Sequence, residues 1–376
     1  MSGIYIHIPF CKQNCHYCDF HFSVSLKDKD ALLKALKKEL ILRKDELIDP
    51  VKTIYFGGGT PSILSYDELA SLFKTIHENY TIQDKVEVTL EANPDDLTTL
   101  FVKDLTKLGV NRLSIGVQSF HDADLQFMNR AHTSIEAINA IKTAQDKGIT
   151  NITIDLIYGV PDMNLARWEN NLNTFSSLHI PHLSSYALTV ESGTVLAYAI
   201  QKKKVKPINE QQAKAHFDLL RVYMKKQDFI HYELSNFAIK GFLSKHNSSY
   251  WKGKQYVGIG PSAHSFNLQS RSWNIANNKK YINSLKNNQL PSEVENLTKT
   301  MRYNEYIMTG LRTMWGVNIK RIKNEFGVLY SNYFKSVVKT HLLNNNIHRI
   351  DGDKYIISQE KLFLVDGIIA DLFFVN

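Results

Sequence analysis

Residues 4–18 read IYIHIPFCKQNCHYC. This stretch joins a short run of β-branched and aromatic residues, typical of a buried strand, to three cysteines with the spacing C-x3-C-x2-C. Cys11, Cys15 and Cys18 are the only cysteines among the 376 residues. Three thiols this close together make a poor disulfide framework, and in a cytosolic chain they indicate a metal site. We therefore expect a metal-binding loop directly after the first strand.

The first half of the chain repeats one theme, a short apolar strand followed by a loop and an amphipathic helix. Strands are predicted at 4–8, 52–56, 86–91, 112–117, 152–157 and 183–188, with helices at about 65–79, 97–108, 134–147 and 165–178. Alternating strands and helices indicate parallel βαβ units, and six of them predict an α/β fold of the partial (β/α)6 barrel type. Active sites of such barrels collect at the C-terminal ends of the strands. The cysteine loop is therefore predicted to lie at the mouth of the barrel.

The alternation of strands and helices ends after the sixth strand, and we expect the chain to have three regions. These are a barrel over 1–235, a connecting region over 236–300, and a mainly helical, winged-helix-like domain over 301–376. In the last region, helices are followed by HRIDGDKYIIS (348–358), where Asp351 and Gly352 predict a hairpin turn.

Composition excludes several classes of protein. The net charge of +8 comes from scattered lysines, and no basic recognition helix is evident, so we expect no nucleic-acid partner. No apolar run is long enough to span a bilayer, and the first residues do not resemble a secretory signal. A cytoplasmic location is expected, and peripheral membrane contact stays open.

The chemistry of the cysteine loop follows from the ligand count. A [4Fe-4S] cluster normally takes four thiolates, and this chain offers three. Phe20 stands at the nearest place for a fourth, so one iron would have to take an outside ligand. Zinc is the alternative, with His16 or His21 as the fourth ligand.

The spacing C-x3-C-x2-C, with Tyr17 before the third cysteine, resembles the radical S-adenosylmethionine superfamily. The resemblance implies that S-adenosylmethionine chelates the fourth iron and that one electron from the cluster cleaves it to a 5′-deoxyadenosyl radical. It also implies an electron donor such as a flavodoxin or ferredoxin.

Further motifs support this resemblance. YIHIPFC, GGGTPS, EANP, RLSIGVQSF, NRAH and IDLIYGVP are similar to segments of the oxygen-independent coproporphyrinogen oxidases and their relatives. Exposed backbone N–H groups in the glycine run and polar groups on successive strands suit a ligand with an amino-acid end and ribose hydroxyls. The residues that the resemblance implies as contacts of S-adenosylmethionine are Tyr5, Tyr17, Gly57, Gly58, Gly59, Thr60, Glu91, Gln118, Arg130 and Asp155.

Two features are similar to the HemW family of heme chaperones, namely Phe20 after the cysteines and the sequence HNSSYW (246–251). They imply heme as a further cofactor and a heme-acceptor protein as a partner. The implied heme contacts are His246, Asn247, Tyr250 and Trp251, and imidazole is a common axial ligand of heme iron. His7, His231 and His264 are rival ligands.

The alternative within the same superfamily is an oxygen-independent coproporphyrinogen III dehydrogenase of porphyrin biosynthesis, which removes two carboxyl groups by radical chemistry. The shared barrel motifs favour this alternative, and the absence of a cysteine at position 20 disfavours it. Whether the protein is an enzyme is left open at this point.

Overall fold

The computed structural model describes residues 2–375, and its first half alternates strands and helices as predicted. The parallel strands are β1 (Ser2–Ile8), β2 (Val51–Gly58), β3 (Ile82–Ala92), β4 (Arg112–Gln118), β5 (Ile152–Tyr158) and β6 (His182–Ala187). The helices among and after them are α1 (Lys29–Leu42), α2 (Tyr66–Asn79), α3 (Thr99–Lys107), α4 (Asp122–Phe127), α5 (Ser134–Asp146) and α6 (Leu165–Ser177). Short 3-10 turns lie at Lys44–Glu46, Pro61–Ile63 and Pro94–Asp96. The predicted α/β fold with a parallel sheet is confirmed.

The sheet continues beyond these six strands on both sides. The next elements are α7 (Val195–Gln201), α8 (Glu210–Lys226), β7 (Ile230–Glu233), β8 (Asn236–Ala238), α9 (Lys245–Trp251), β9 (Tyr256–Ile259), β10 (His264–Phe266), β11 (Ser270–Asn274), α10 (Asn278–Lys286) and β12 (Ser292–Asn296). The strand order is β12-β11-β10-β9-β1-β2-β3-β4-β5-β6-β8-β7, with β9 parallel to β1. The two ends of this order do not pair, so the barrel is partial.

The strands form because their side chains alternate between a helix-covered face and the barrel interior. In β1, Ile4, Ile6 and Ile8 are fully buried in the main hydrophobic core, while Tyr5 and His7 face the other way. The helices begin at well-formed caps, such as Ser65 at the start of α2, which exchanges hydrogen bonds with Glu68. Because β1 to β6 run parallel to one another, their C-terminal ends meet at one edge of the sheet, which is the mouth of the barrel.

A second hydrophobic core organises the C-terminal region. Its elements are α11 (Lys299–Leu311), β13 (Val317–Asn318), α12 (Ile319–Phe326), α13 (Val328–Leu343), β14 (Ile347–Ile350), β15 (Lys354–Ile357), a 3-10 turn at Gln359–Leu364, and α14 (Val365–Ala370). The three strands pair in the order β13-β15-β14. Asp351 and Gly352 adopt φ angles of 51° and 72° in the loop between β14 and β15, as the predicted turn requires. The order helix, strand, two helices and hairpin is that of a winged helix, as predicted.

The C-terminal region docks onto the edge of the large sheet. Met314 donates its backbone N–H to Tyr232 in β7 at 3.0 Å, and the Lys252 ammonium lies 4.1 Å from the centre of the Trp315 ring. The predicted boundaries at 235 and 300 stay a prediction. No helix within residues 2–375 is both long enough and apolar enough to cross a membrane.

Candidate functional site

The cysteine loop leaves the mouth end of β1 and is held by backbone hydrogen bonds. Cys11, Cys15 and Cys18 are partly exposed and free of disulfides. Cys11 donates its N–H to Ser23 O at 3.1 Å, which folds the loop back on itself. Burial raises the pKa of the Cys11 thiol to about 11 and raises that of Cys18 as well. The structure thus brings the three predicted ligands onto one loop at the mouth.

Arg130 connects this loop to the strands behind it. Its Nη1 donates to Cys15 Sγ at 3.2 Å, and its Nη2 donates to Asn93 Oδ1 and to Gly116 O, both at 2.8 Å. Tyr17 packs nearby, and its buried hydroxyl has a raised pKa. The buried Nε of Arg130 has no hydrogen-bond partner among the described residues. A buried cationic donor without a partner suits a ligand that brings an anionic oxygen.

Glycine is required at positions 57–59, at the end of β2, because other groups pack closely against the backbone there. Gly58 has a φ of 105°, and a Cβ atom there would lie 2.4 Å from the ring of His7. A Cβ at Gly59 would lie 2.6 Å from Phe10 O, which accepts the N–H of Thr60 at 2.7 Å. A Cβ at Gly57 would meet the Glu91 carboxylate at 2.9 Å. Only glycine lets this turn approach both the cysteine loop and β3.

Glu91 joins the glycine run to the barrel interior. Its carboxylate accepts the hydroxyl of Tyr55 at 2.7 Å and the N–H of Gly58 at 3.1 Å. Burial raises the pKa of Glu91, and these two hydrogen bonds oppose the rise. Tyr5 stacks on Tyr55 with ring centres 6.0 Å apart.

The remaining predicted contacts lie on β4 and β5. Gln118 ends β4 with a φ of 69°, and its side chain is buried beside Gly116. Asp155 lies on β5, where burial raises its pKa to about 7 and the nearby Glu91 carboxylate contributes to the rise. Glu91 and Asp155 both face one polar cavity of about 60 Å³ inside the barrel. Its further lining residues include Tyr55, Thr89, Arg112, Ser114, Thr153, Ser184 and Tyr186.

Several of these residues were missed by the motif-based prediction. Tyr55 precedes Gly57 by two positions and Asn93 follows Glu91 by two positions. Polar residues at every second position of strands expected to be buried on both faces are the signal that could have found them.

The HNSSYW motif lies at the other end of the barrel from the cysteines. It forms α9, and the backbone N–H of His246 donates to Glu87 at 2.9 Å, near the start of the buried part of β3. The His246 ring is 1% exposed, and its two nitrogens bond to the hydroxyls of Thr53 at 2.8 Å and Tyr250 at 2.7 Å. Burial lowers the pKa of His246 to about 3. Its ring is fully partnered, so heme ligation by His246 would require α9 to move.

The other members of the motif share this location. Asn247 lines the barrel cavity at the end remote from the cysteines. The Tyr250 ring packs edge-on against the Tyr256 ring, with ring centres 4.5 Å apart, and Trp251 is half-buried. The structure does not bring these residues together with the cysteines. Their predicted heme contact stays a prediction.

The rival histidines differ in how open they are. His7 bonds through both ring nitrogens, to Tyr5 and to His21 O. His231 stacks on Phe237 at 4.1 Å and bonds to Leu234 O. His264 is exposed on β10.

The donor set fits a [4Fe-4S] cluster with S-adenosylmethionine. Three free thiols on one loop and an unpartnered Arg130 nitrogen are groups that such a site needs. The expectation of exposed N–H groups in the glycine run is wrong, because the N–H groups of Gly58, Gly59 and Thr60 are donated to Glu91, Ile8 O and Phe10 O. Within residues 2–375, no three His, Cys, Asp or Glu side chains converge closely enough to hold a single metal ion. The zinc alternative therefore gains no support from the geometry.

Comparison with known proteins relates this chain to a known family. A family model described as the Radical SAM superfamily matches residues 5–175. Heme chaperone HemW of Bacillus subtilis is 36% identical over 367 residues, which cover 96% of this chain and 97% of that protein. Heme chaperone HemW of Lactococcus lactis is 33% identical over 354 residues, with coverages of 93% and 92%.

A solved structure has the same architecture over nearly the whole chain. Coproporphyrinogen III oxidase (HemN) of Escherichia coli, a radical SAM enzyme, superimposes with a TM-score of 0.85. The match covers 99% of this chain and 90% of that chain at 21% sequence identity. At this identity the match shows a shared fold and nothing further.

Proposed function

Because the chain belongs to the HemW family of the radical S-adenosylmethionine superfamily, we propose that it is a heme chaperone that binds heme and transfers it to an acceptor protein. The near full-length similarity to proteins named heme chaperones carries this proposal. The acceptor, the electron donor and the cytoplasmic location remain predictions.

We further propose that Cys11, Cys15 and Cys18 hold a [4Fe-4S] cluster and that S-adenosylmethionine binds beside it. Bound there, the cluster supplies single electrons and an iron with an open coordination position. Arg130 would hold the anionic end of the ligand through its free Nε, and the backbone of Gly57–Thr60 would face its amino-acid end. The proposed contacts also include Tyr5, Tyr17, Glu91, Gln118 and Asp155.

Phe20 favours the chaperone over the dehydrogenase. Its side chain is 68% exposed and offers no ligand atom at the position two residues after the third cysteine. A large exposed aromatic group at the edge of a metal site is a suitable contact for an apolar cargo or a partner protein.

The coproporphyrinogen III dehydrogenase is the second candidate, and the barrel motifs that this chain shares with that family favour it, GGGTPS and EANP among them. The fold matches that of Escherichia coli HemN over both chains, and the barrel is a shared scaffold on which either function could be carried.

One experiment separates the two functions. The reconstituted protein is incubated without oxygen with coproporphyrinogen III, S-adenosylmethionine and a reductant, and the products are read by mass spectrometry. We expect no decarboxylation while the cluster stays intact, and we expect heme loaded on the protein to move to an apo heme protein, followed by its Soret band. Catalytic loss of two carboxyl groups would overturn the chaperone proposal.

A further inference from the structure

The turn that ends α4 carries an asparagine at the position where helices most often carry glycine. Arg130 donates its backbone N–H to Leu125 O at 2.9 Å, and Asn129 donates its own to Gln126 O at 3.0 Å. These two hydrogen bonds form a Schellman motif, in which the first residue past the cap takes a left-handed conformation. Asn129 is that residue, with a φ of 57°. The turn itself makes no use of the side-chain amide.

The cysteine loop uses the Asn129 amide on both of its sides. The amide Oδ1 accepts a hydrogen bond from Gln13 Nε2 at 2.7 Å, and the amide Nδ2 donates to Asn14 O at 2.7 Å. Both partners lie between Cys11 and Cys15, at 116 and 115 positions before Asn129 in the sequence. An asparagine amide offers an acceptor and a donor in one rigid group, so Asn129 holds the loop by a side chain and by the main chain at once.

The contact with the cysteine loop continues on either side of Asn129. Met128 O accepts the backbone N–H of His16 at 3.2 Å. Arg130 Nη1 donates to Cys15 Sγ at 3.2 Å. The turn after α4 therefore holds the loop at consecutive residues, and one of these contacts reaches a cysteine sulfur.

A second asparagine in the same turn geometry shows that the helix end does not need the amide. Asn288 follows the cap of α10 with a φ of 58°, and its N–H bonds to Leu285 O at 3.1 Å, as in the turn after α4. The Asn288 side chain is exposed, and no hydrogen bond of its amide is found within residues 2–375. The two hydrogen bonds of the Asn129 amide are therefore an addition to the helix end and not a part of it.

We propose that Asn129 is a positioning residue whose amide holds Cys15 against the guanidinium of Arg130. The inference rests on the proposed [4Fe-4S] site, since Cys15 is one of its three proposed ligands. A hydrogen bond to a ligating sulfur, here from a cationic group, favours the reduced and more negative state of an iron–sulfur cluster. Loss of the Asn129 amide should therefore loosen the loop and lower the reduction potential of the cluster.

Two variants of Asn129 and one control isolate the amide. Glycine adopts a φ of 57° without strain and keeps the backbone hydrogen bonds of the turn, so Asn129→Gly removes the amide alone. Asn288→Gly is the matched control, because it makes the same change in the same turn geometry away from the loop. Asn129→Asp can still accept from Gln13 but has no proton to donate to Asn14 O.

Hydrogen exchange of the full-length apo protein, read by mass spectrometry, measures the loop without any cofactor. We expect exchange in the segment 12–18 to rise about tenfold in Asn129→Gly, the effect of losing one to two weak hydrogen bonds on a local opening equilibrium. Asn129→Asp should raise it as well, because a carboxylate then faces a carbonyl oxygen. Asn288→Gly should match the wild type, and wild-type exchange in either variant of Asn129 would contradict the proposal.

The second measurement is the reduction potential of the anaerobically reconstituted protein, from a redox titration followed by electron paramagnetic resonance. We expect a more negative potential in Asn129→Gly and the wild-type potential in Asn288→Gly. A role in folding alone would lower the yield of the variant but would leave the potential of its cluster-bearing fraction unchanged. Loss of iron to a chelator should also be at least about tenfold faster in Asn129→Gly, as is usual when a group that orients a metal ligand is removed.

The outcomes separate the positioning role from the cluster itself. If the wild type holds a cluster and Asn129→Gly has the same exchange and the same potential, the positioning role is refuted while the proposed cluster stands. Raised exchange with an unchanged potential would refute the link from Asn129 to the contact between Arg130 and Cys15. If the wild type holds no cluster, the metal assignment fails, and the exchange measurement still decides whether Asn129 holds the loop.

Discussion

At the scale of single residues, the mouth of the barrel is organised by a few buried polar atoms. Arg130 contacts Cys15, Asn93 and Gly116 and keeps one nitrogen without a partner. The raised pKa of Cys11 means that its free thiol stays protonated at neutral pH. Assembly of the proposed cluster would therefore displace protons, because iron binds thiolates.

The first prediction concerns the cluster ligands. Cys15→Ala is expected to leave the protein unable to hold a [4Fe-4S] cluster, because two thiolates cannot anchor it. The measurements are the iron–sulfur absorption and the iron content after anaerobic reconstitution. A variant with full iron content and unchanged absorption would refute the metal assignment, and Ser23→Ala on the same loop is a control expected to retain the cluster.

The second prediction follows from the pKa of about 7 for Asp155. An unfolded aspartate ionises near pH 4, so the folded protein binds more protons between about pH 4 and 7 and its stability falls as the pH rises through that window. Asp155→Asn has no carboxyl group to ionise, so this fall in stability with rising pH should be absent from the variant. Because Asp155 borders a cavity that water can enter, we expect a gain on the order of 2 kcal/mol in the free energy of unfolding at pH 8.

Denaturant unfolding of the apo protein at pH 5 and pH 8 measures this effect. Asp122→Asn is the matched control of opposite sign, since hydrogen bonds from Ser134 lower the pKa of Asp122. Removing that carboxylate should therefore destabilise the protein at both pH values. An Asp155→Asn variant that is no more stable than the wild type at pH 8 would contradict the raised pKa.

At the scale of elements, α9 covers the end of the barrel that is remote from the cysteines. It is anchored by hydrogen bonds from its first residues to Glu87 and by His246, which stacks on Tyr55 with ring centres 4.9 Å apart. The polar interior of the barrel is thereby closed at the end remote from the cysteines. The aromatic and imidazole groups of the motif therefore have a structural role in the fold, and their predicted heme contact stays a prediction.

The third prediction is that His246 is a stability residue. His246→Ala leaves a cavity and removes two buried hydrogen bonds, and it should cost about 2–4 kcal/mol of unfolding free energy. Tyr250→Phe removes only one of these bonds and should cost about 1–2 kcal/mol. Heme affinity of the folded fraction tests the predicted heme contact separately: its loss in His246→Ala would support that contact, and an unchanged hemin titration would contradict it.

At the scale of the whole molecule, one buried polar network ties the late strands to the first helix. Glu39 is fully buried in α1 and accepts hydrogen bonds from Gly260 N, Asn274 Nδ2 and Tyr281 Oη, residues more than 200 positions away. Arg43 completes the network through Glu39 at 3.2 Å and through Gly258 O at 2.8 Å. The extension of the sheet by β9 to β12 is therefore fixed to the barrel through this carboxylate.

The fourth prediction compares the two acidic partners of Arg43. Glu39→Ala leaves a buried guanidinium without its buried partner and should cost about 3–5 kcal/mol of unfolding free energy. Glu46→Ala removes the exposed partner, which is 44% exposed, and should cost less than about 1 kcal/mol. Denaturant midpoints measure both, and equal costs would show that the network does not hold β9 to β12 in place.

The sequence by itself determined the barrel and the place of the cysteine loop. The six strands lie where short apolar runs predicted them, because a parallel strand buried on both faces is a local pattern. The place of Cys11, Cys15 and Cys18 on one loop after β1 was likewise predictable, because the three residues lie within eight positions of each other, and their binding of a cluster stays a prediction.

Only the tertiary structure decided which polar groups meet. Asn93 forms a hydrogen bond with Arg130, which lies 37 positions later in the sequence. Glu39 forms one with Tyr281, which lies 242 positions later. The fold places His246 at the end of the barrel remote from the cysteines and bonds both of its ring nitrogens, while the predicted heme contact of its motif stays a prediction. Whether a histidine has a free nitrogen depends on distant chain segments packed against it, and no local pattern in the sequence carries that information.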